Sequence, residues 1–202
     1  MQSEVEDFMS RLCNGHIIKR DCKCILDNAR QLDIYVEDLK LAIEFNGLFW
    51  HNSDKGAHGK DPTPMMYHYS KSIECESKGI RLIHIFEDEW HTNQKLCKSM
   101  IKKIAFPDKV KHIDAKSCNV IKDINNEIKH KLLCKYTFFG DDGSSVQYGL
   151  TYRDHLVAMM TFSQARNNYT QCQWQILNYV EINSFIVDDG FGMLLNTFVE
   201  DY

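Results

Sequence analysis

Proline and glycine are scarce, with 3 Pro and 10 Gly in 202 residues, which excludes a collagen-like repeat and a Pro/Gly-rich disordered tract. No stretch approaches the roughly 20 consecutive apolar residues that cross a bilayer. The amino-terminal run MQSEVEDFMSRL carries acids where a secretion signal carries bases, and it lacks an apolar core. A cytoplasmic protein with no membrane partner is the expectation. The eight cysteines amount to less than half the density that marks a disulfide scaffold, so reduced thiols are expected. Cys22 and Cys24 are separated by one residue, too tight for a zinc knuckle, and no CxxC pair completes a site. What is present, 44% hydrophobic and 26% charged residues, suits one large globular domain or two small ones.

The net charge of −4 hides a segregation along the chain. Residues 1–94 hold 11 bases and 16 acids, residues 95–135 hold 11 lysines and 4 acids, and residues 136–202 hold 2 bases and 8 acids. The basic run is either a solvated helix face or a stripe that tracks phosphates, because lysine heads repeated along a surface release counterions from a duplex.

Val5, Phe8, Met9 and Leu12 recur at helical spacing, which predicts a short amphipathic helix over residues 3–12 with Ser3 as its N-cap and Glu4 in its first turn. The runs Leu32–Val36 and Leu39–Trp50, separated by Glu37 and Asp38, read as a hairpin. Residues 53–64 are a polar loop. A helix over Met66–Lys78 ends at Gly79, the apolar run Ile80–Phe86 is a buried strand, and residues 91–105 are helical again. Beyond a connector around Pro107 come strands at Val146–Tyr152, Leu156–Phe162 and Cys172–Tyr179, then a helix over Gly192–Tyr202. The predicted class is α/β: a mixed β-sheet core flanked by helices over residues 1–105, a basic connector over 106–135, and a smaller α+β unit over 136–202.

Asp33 and Glu44 lie on the two hairpin strands, where carboxylates can meet at one sheet edge. Such a pair suits Mg²⁺, which prefers carboxylate oxygens and keeps waters, one of which can attack a phosphodiester; alternatively both are strand-end charges reaching solvent. His51, in NGLFWH, can take a proton near neutral pH or simply sit at a strand end. Phe49 and Trp50 are core residues or wedges between base pairs. His68 and Lys71, spaced i, i+3, form a phosphate-binding or a solvated face.

The runs LDIYVEDLKLAIEFNGLFWHN and YHYSKSIECESKGIRLIHIFEDEW resemble the nuclease domain of phage-borne homing endonucleases of the PD-(D/E)XK superfamily, in the EDxHD group related to very-short-patch repair endonuclease. The resemblance covers residues 3–105. It implies a restriction-endonuclease-like core, Asp33 as the principal metal ligand with Glu44 and the Phe45 carbonyl nearby, Glu4 assisting, and His51 as base or acid. Asn46 stands where the superfamily has its catalytic Lys, so that role passes to His51 or Lys71. Asn46, Phe49, Trp50, His68, Lys102, Lys103, Lys109 and Lys111 are the expected DNA contacts.

More weakly, SFIVDDGFGMLLNTF resembles a truncated acetyltransferase-like fold. Asp188 and Asp189, beside Gly190 and Gly192, place negative charge where an acyl-CoA pyrophosphate would need backbone amides at a helix N-terminus. The resulting expectation is a Mg²⁺-dependent endonuclease, with Mn²⁺ able to substitute, acting on double-stranded DNA in the cytoplasm of the cell, a host cell if the protein is phage-encoded. No small-molecule cofactor is expected, and the oligomeric state is left open. The alternatives are a non-catalytic DNA-binding or phage regulatory protein that keeps the nuclease fold and, less favoured, an acyltransferase-like protein.

Overall fold

The computed structural model describes residues 2–27, 30–47, 64–165, 173–182 and 184–202, with only the backbone at 64 and 65. Phe49, Trp50, His51 and the polar loop that follows them lie outside the described residues. The chain divides into two compact units, Met1–Lys98 and Ser99–Tyr202. Among the described residues, no helix is long and apolar enough to cross a membrane.

In the first unit, α1 (Gln2–Leu12) precedes β1 (Ile18–Cys22), β2 (Leu32–Val36), β3 (Leu41–Asn46), α2 (Pro64–Ser77) and β4 (Arg81–Phe86). Ser3 falls inside α1 rather than at its N-cap. The strands form one sheet in the order β1-β2-β3-β4. β1 with β2 and β2 with β3 are antiparallel, whereas β3 and β4 are parallel, as a connection through a helix requires. The hairpin turn occupies Glu37–Lys40: Lys40 is left-handed at φ 46 and its amide donates to the Glu37 carbonyl at 3.1 Å, so β3 starts two residues later than the hydrophobic run suggests.

β1 escapes a hydrophobicity reading because an edge strand is kept polar against unwanted pairing, and IKRDC buries only Cys22. Gly79 ends α2 as expected. It is left-handed at φ 69, its amide donates to Glu76 at 2.9 Å, and the Ile80 amide donates back to Cys75 at 2.8 Å, the paired bonds of a Schellman cap. Ile34, Ile43, Ile83 and Ile85 are buried on one face of the sheet. The other face alternates to Asp33, Tyr35, Ala42, Glu44, Asn46, Leu82 and His84. Cys75 of α2 packs there with Tyr35, Ala42 and Leu82.

α3 (Glu87–Ala105) starts four residues earlier than predicted and breaks at Asn93 (φ −128, ψ 39). Its start follows from Glu87, Asp88 and Glu89, acids that favour a helix N-terminus, and Glu89 reaches back to accept from the Phe86 amide at 3.2 Å. The boundary between the two units falls within this helix.

The segment 106–135, expected as a connector, builds β5 (Lys111–Asp114), β6 (Asn119–Lys122) and most of α4 (Asn126–Tyr136) of the second unit. The strands are four residues each, too short to show a period. After them come β7 (Val146–Tyr152), β8 (His155–Gln164), β9 (Trp174–Glu181), β10 (Phe185–Asp188) and α5 (Gly190–Asp201). β6-β7-β8-β9 is an antiparallel meander, and β10 pairs in parallel with β5. Strand alternation turns Met160 and Phe162 to α5 and Met159 to α4. Phe162 stacks on Phe198 of α5 with centroids 3.8 Å apart.

A buried polar knot ties α4 to this meander. Lys129 donates to the Asp142 carbonyl at 2.9 Å, while the Asp142 carboxylate accepts from Thr161 Oγ1 at 2.6 Å, Asn178 Nδ2 at 2.7 Å and the Ser144 amide at 3.1 Å. Burial pushes the Asp142 carboxyl up, but the Ser144, Thr161 and Asn178 hydrogen bonds outweigh it and hold it below its ordinary range. A depressed folded-state pKa contributes stability that is present above the unfolded value, about 3.9, and lost as pH falls through the folded one. Asp142→Asn is therefore expected to flatten the acid limb of the unfolding profile below about pH 4. Thermal melts from pH 7 to pH 2 check this; an unchanged limb would place acid sensitivity elsewhere.

Candidate functional site

The first unit's site arises where two strands part. The β2–β3 ladder ends at Ile34 opposite Ile43, while β2 continues against β1 to Leu32 and β3 continues against β4 to Asn46. The amides of Asp33 and Phe45 thereby lose their strand partners, and a buried N–H needs an acceptor. Two carboxylates supply them reciprocally: the Phe45 amide donates to Asp33 Oδ2 at 2.9 Å, and the Asp33 amide donates to Glu44 Oε1 at 3.2 Å. Asp33 Oδ1 accepts no hydrogen bond among the described residues. The N–H and C=O of a strand residue point the same way, so the Phe45 carbonyl faces the same gap.

Glu44 is 6% exposed and Lys71, from α2, 1%. Their Oε2 and Nζ atoms are 2.5 Å apart. Burial raises the Glu44 carboxyl, the neighbouring Asp33 charge raises it further, and Lys71 opposes both. Burial likewise raises Asp33, against the Phe45 amide and the Lys71 charge.

Further along the same face, Asn46 Nδ2 lies 3.3 Å from His84 Nδ1, and His84 Nε2 lies 2.9 Å from Ser72 Oγ. His68 meets the His84 ring edge-on, with centroids 5.1 Å apart. His84 is in register with Glu44. Sequence reasoning missed it, although a histidine interrupting the apolar run IRLIHIF was the available signal.

Glu4 is held by Trp90, whose indole N–H donates to Oε2 at 3.0 Å. The acidic charges that bear on Asp33 include Asp21 and Glu6.

Among the described residues, no cluster of three or more His, Cys, Asp or Glu side chains is disposed to hold a metal. Mg²⁺ does not require one: it is commonly bound through one or two carboxylates with several waters retained. The unengaged Asp33 oxygen and the Phe45 carbonyl are hard oxygen donors of the kind it takes.

In the second unit the lysines divide. Lys103 is 3.1 Å from Glu181 Oε2, Lys122 is 2.6 Å from Asp201 Oδ2, and Lys129 is buried 3.4 and 3.5 Å from Asp141 and Asp142. Lys102, Lys109 and Lys111 are exposed and make no ion pair among the described residues. Lys109 and Lys111 rest over the Phe106 and Phe185 rings at 4.1 and 5.3 Å.

The start of α5 has its own anion. Asp189 is left-handed at φ 60, and its Oδ1 would lie 2.5 Å from a Cβ added at Gly192. A protein carboxylate thus sits over the first turn, where an acyl-CoA pyrophosphate would need exposed amides.

No protein-family model matches the chain, and no curated protein matches it. Among solved structures, the catalytic domain of the homing endonuclease I-Bth0305I aligns with 51% of this chain and 90% of its own length, at 22% identity and a TM-score of 0.37.

Proposed function

We propose that the chain is a metal-dependent DNA endonuclease of the restriction-endonuclease-like fold, a phage homing-type enzyme of the EDxHD group. The observation that carries this reading is the carboxylate of Asp33 at the parting of β2 and β3, with Oδ2 taken by the Phe45 amide, Oδ1 accepting no hydrogen bond among the described residues, and the Phe45 carbonyl facing the same gap. These two groups would hold Mg²⁺ or Mn²⁺, which when bound lowers the pKa of a coordinated water and offsets charge on the phosphate.

Asp33 orients the donors through its bond to the Phe45 amide, and His51 accepts the proton of the attacking water. Phe49 and Trp50 wedge into the duplex and His68 lines its approach. Asn46, 2% exposed and 3.3 Å from His84 Nδ1, is too buried for the DNA contact expected of it and supports His84 instead. Glu4, held by Trp90, assists the metal site. Incubation of the protein with supercoiled plasmid and Mg²⁺, against an EDTA control, tests the reading. Nicking that persists in EDTA, or no nicking with either Mg²⁺ or Mn²⁺, would overturn it.

Lys102, Lys109 and Lys111 supply nonspecific affinity in this reading. Each phosphate contact contributes about 0.9 to the slope of log K against log salt on B-DNA. Replacing these three by Gln is therefore expected to flatten the slope by up to roughly 3 units. Adding Lys103→Gln contributes little to the slope, because its charge is already spent on Glu181. Fluorescence-anisotropy titrations across a salt series measure this, and an unchanged slope would move the interface off this segment.

A further inference from the structure

We propose that Glu44 and Lys71 are a buried positioning pair that fixes Asp33 and Phe45, and that neither side chain touches the metal or the scissile phosphate. The proposal rests on the nuclease reading above and reassigns two residues within it: Glu44, expected as a metal ligand, and Lys71, expected to stand in for the Lys that Asn46 replaces.

Both Glu44 oxygens are already partnered, and at 6% exposure the side chain offers a metal and its waters little room to approach the lone pairs that are left. Oε1 accepts the Asp33 amide at 3.2 Å and Oε2 meets Lys71 Nζ at 2.5 Å. Lys71 is 1% exposed, whereas a proton donor must come within hydrogen-bond reach of the reacting atoms. Behind the pair the packing is closed, with Ala42 and Cys75 fully buried. In such surroundings either charge alone is costly, and the two are tolerated only together.

Their placement explains what they do. Lys71 belongs to α2, Glu44 to β3, and the amide that Glu44 holds belongs to β2. The pair therefore joins three elements at the point where the β2–β3 ladder has stopped and no backbone bond fixes Asp33 to Phe45. Glu44 sets the Asp33 backbone, the Asp33 carboxylate sets the Phe45 amide, and the two metal donors are aligned as a consequence.

The test uses the full chain with Glu44→Gln, Lys71→Met and the double substitution, which is neutral and keeps an acceptor for the Asp33 amide. Thermal midpoint, hydrogen exchange at the Asp33 and Phe45 amides, Mn²⁺ affinity by electron paramagnetic resonance, and plasmid nicking are measured. Each single variant is expected to lower the midpoint, to lose about tenfold or more of amide protection as its partner is left buried and unpaired, and to weaken Mn²⁺ binding about 10–100-fold. The double variant is expected to recover midpoint and protection, to bind Mn²⁺ within about tenfold of the unsubstituted protein, and to nick DNA.

A stable, protected double variant that loses more than about a hundredfold in Mn²⁺ affinity would make Glu44 a ligand and overturn the proposal. So would one that binds Mn²⁺ normally and cannot cut, which would make Lys71 a participant in the chemistry. Single variants with unchanged amide protection would also overturn it. If the unsubstituted protein neither binds Mn²⁺ nor cuts, the nuclease reading falls on its own, while exchange in the variants still decides whether the pair holds the Asp33 and Phe45 amides.

Discussion

Asp33→Asn is expected to abolish metal-dependent cleavage while leaving a folded protein. The substitution keeps an oxygen to accept the Phe45 amide, which Asp33 Oδ2 now takes at 2.9 Å, and it removes the negative charge that a hard divalent cation requires. Asp33→Ala should be inactive too, but for two reasons at once: it strips the Phe45 amide of its acceptor, at a cost of about 1–3 kcal/mol where that group stays unsatisfied. The two variants together separate chemistry from folding. Asn should melt close to the unsubstituted protein and Ala below it, with neither nicking plasmid in Mg²⁺. Wild-type turnover by folded Asp33→Asn would remove Asp33 from the metal site.

His51→Ala is expected to slow cleavage by about 10² to 10⁴ with little change in DNA affinity, the usual loss when a positioned proton acceptor is removed. With Asn46 in the strand position of the expected Lys and Lys71 closed in by Glu44, the proton of the attacking water is left to His51 in the proposed function. A histidine base works unprotonated, so the unsubstituted rate should climb with rising pH. The variant should lack that limb. Single-turnover rates from pH 5.5 to pH 8.5, with binding measured in Ca²⁺, provide both readouts. An affinity loss equal to the rate loss would make His51 a binding residue.

The order of the first unit was legible along the chain where one residue's chemistry decides a local structure. Gly79 ends α2 because a left-handed cap suits a residue without a side chain. β2, β3 and β4 carry hydrophobic runs dense enough to declare themselves. An antiparallel hairpin with a known turn also brings Asp33 beside Glu44, and that closeness could be inferred from spacing alone. What the two carboxylates do there could not. Their bonds depend on the ladder stopping at Ile34 and Ile43, and Lys71 reaches Glu44 across 27 positions of sequence.

The charge pattern shows the same division most plainly. By sequence, residues 95–135 form a basic block between acidic flanks. In the folded second unit, Lys103, His112, Lys122 and Lys129 each meet an acid from the flank beyond, namely Glu181, Asp188, Asp201 and the Asp141–Asp142 pair. Net charge counted along a chain adds neighbours in sequence, whereas Coulomb attraction falls with distance in space. The sequence determined which charges the protein carries and which short segments become helix or strand; only the tertiary structure decided which charges remain free to meet a partner, because pairing is settled by strands and helices that are remote in the chain and adjacent in the fold.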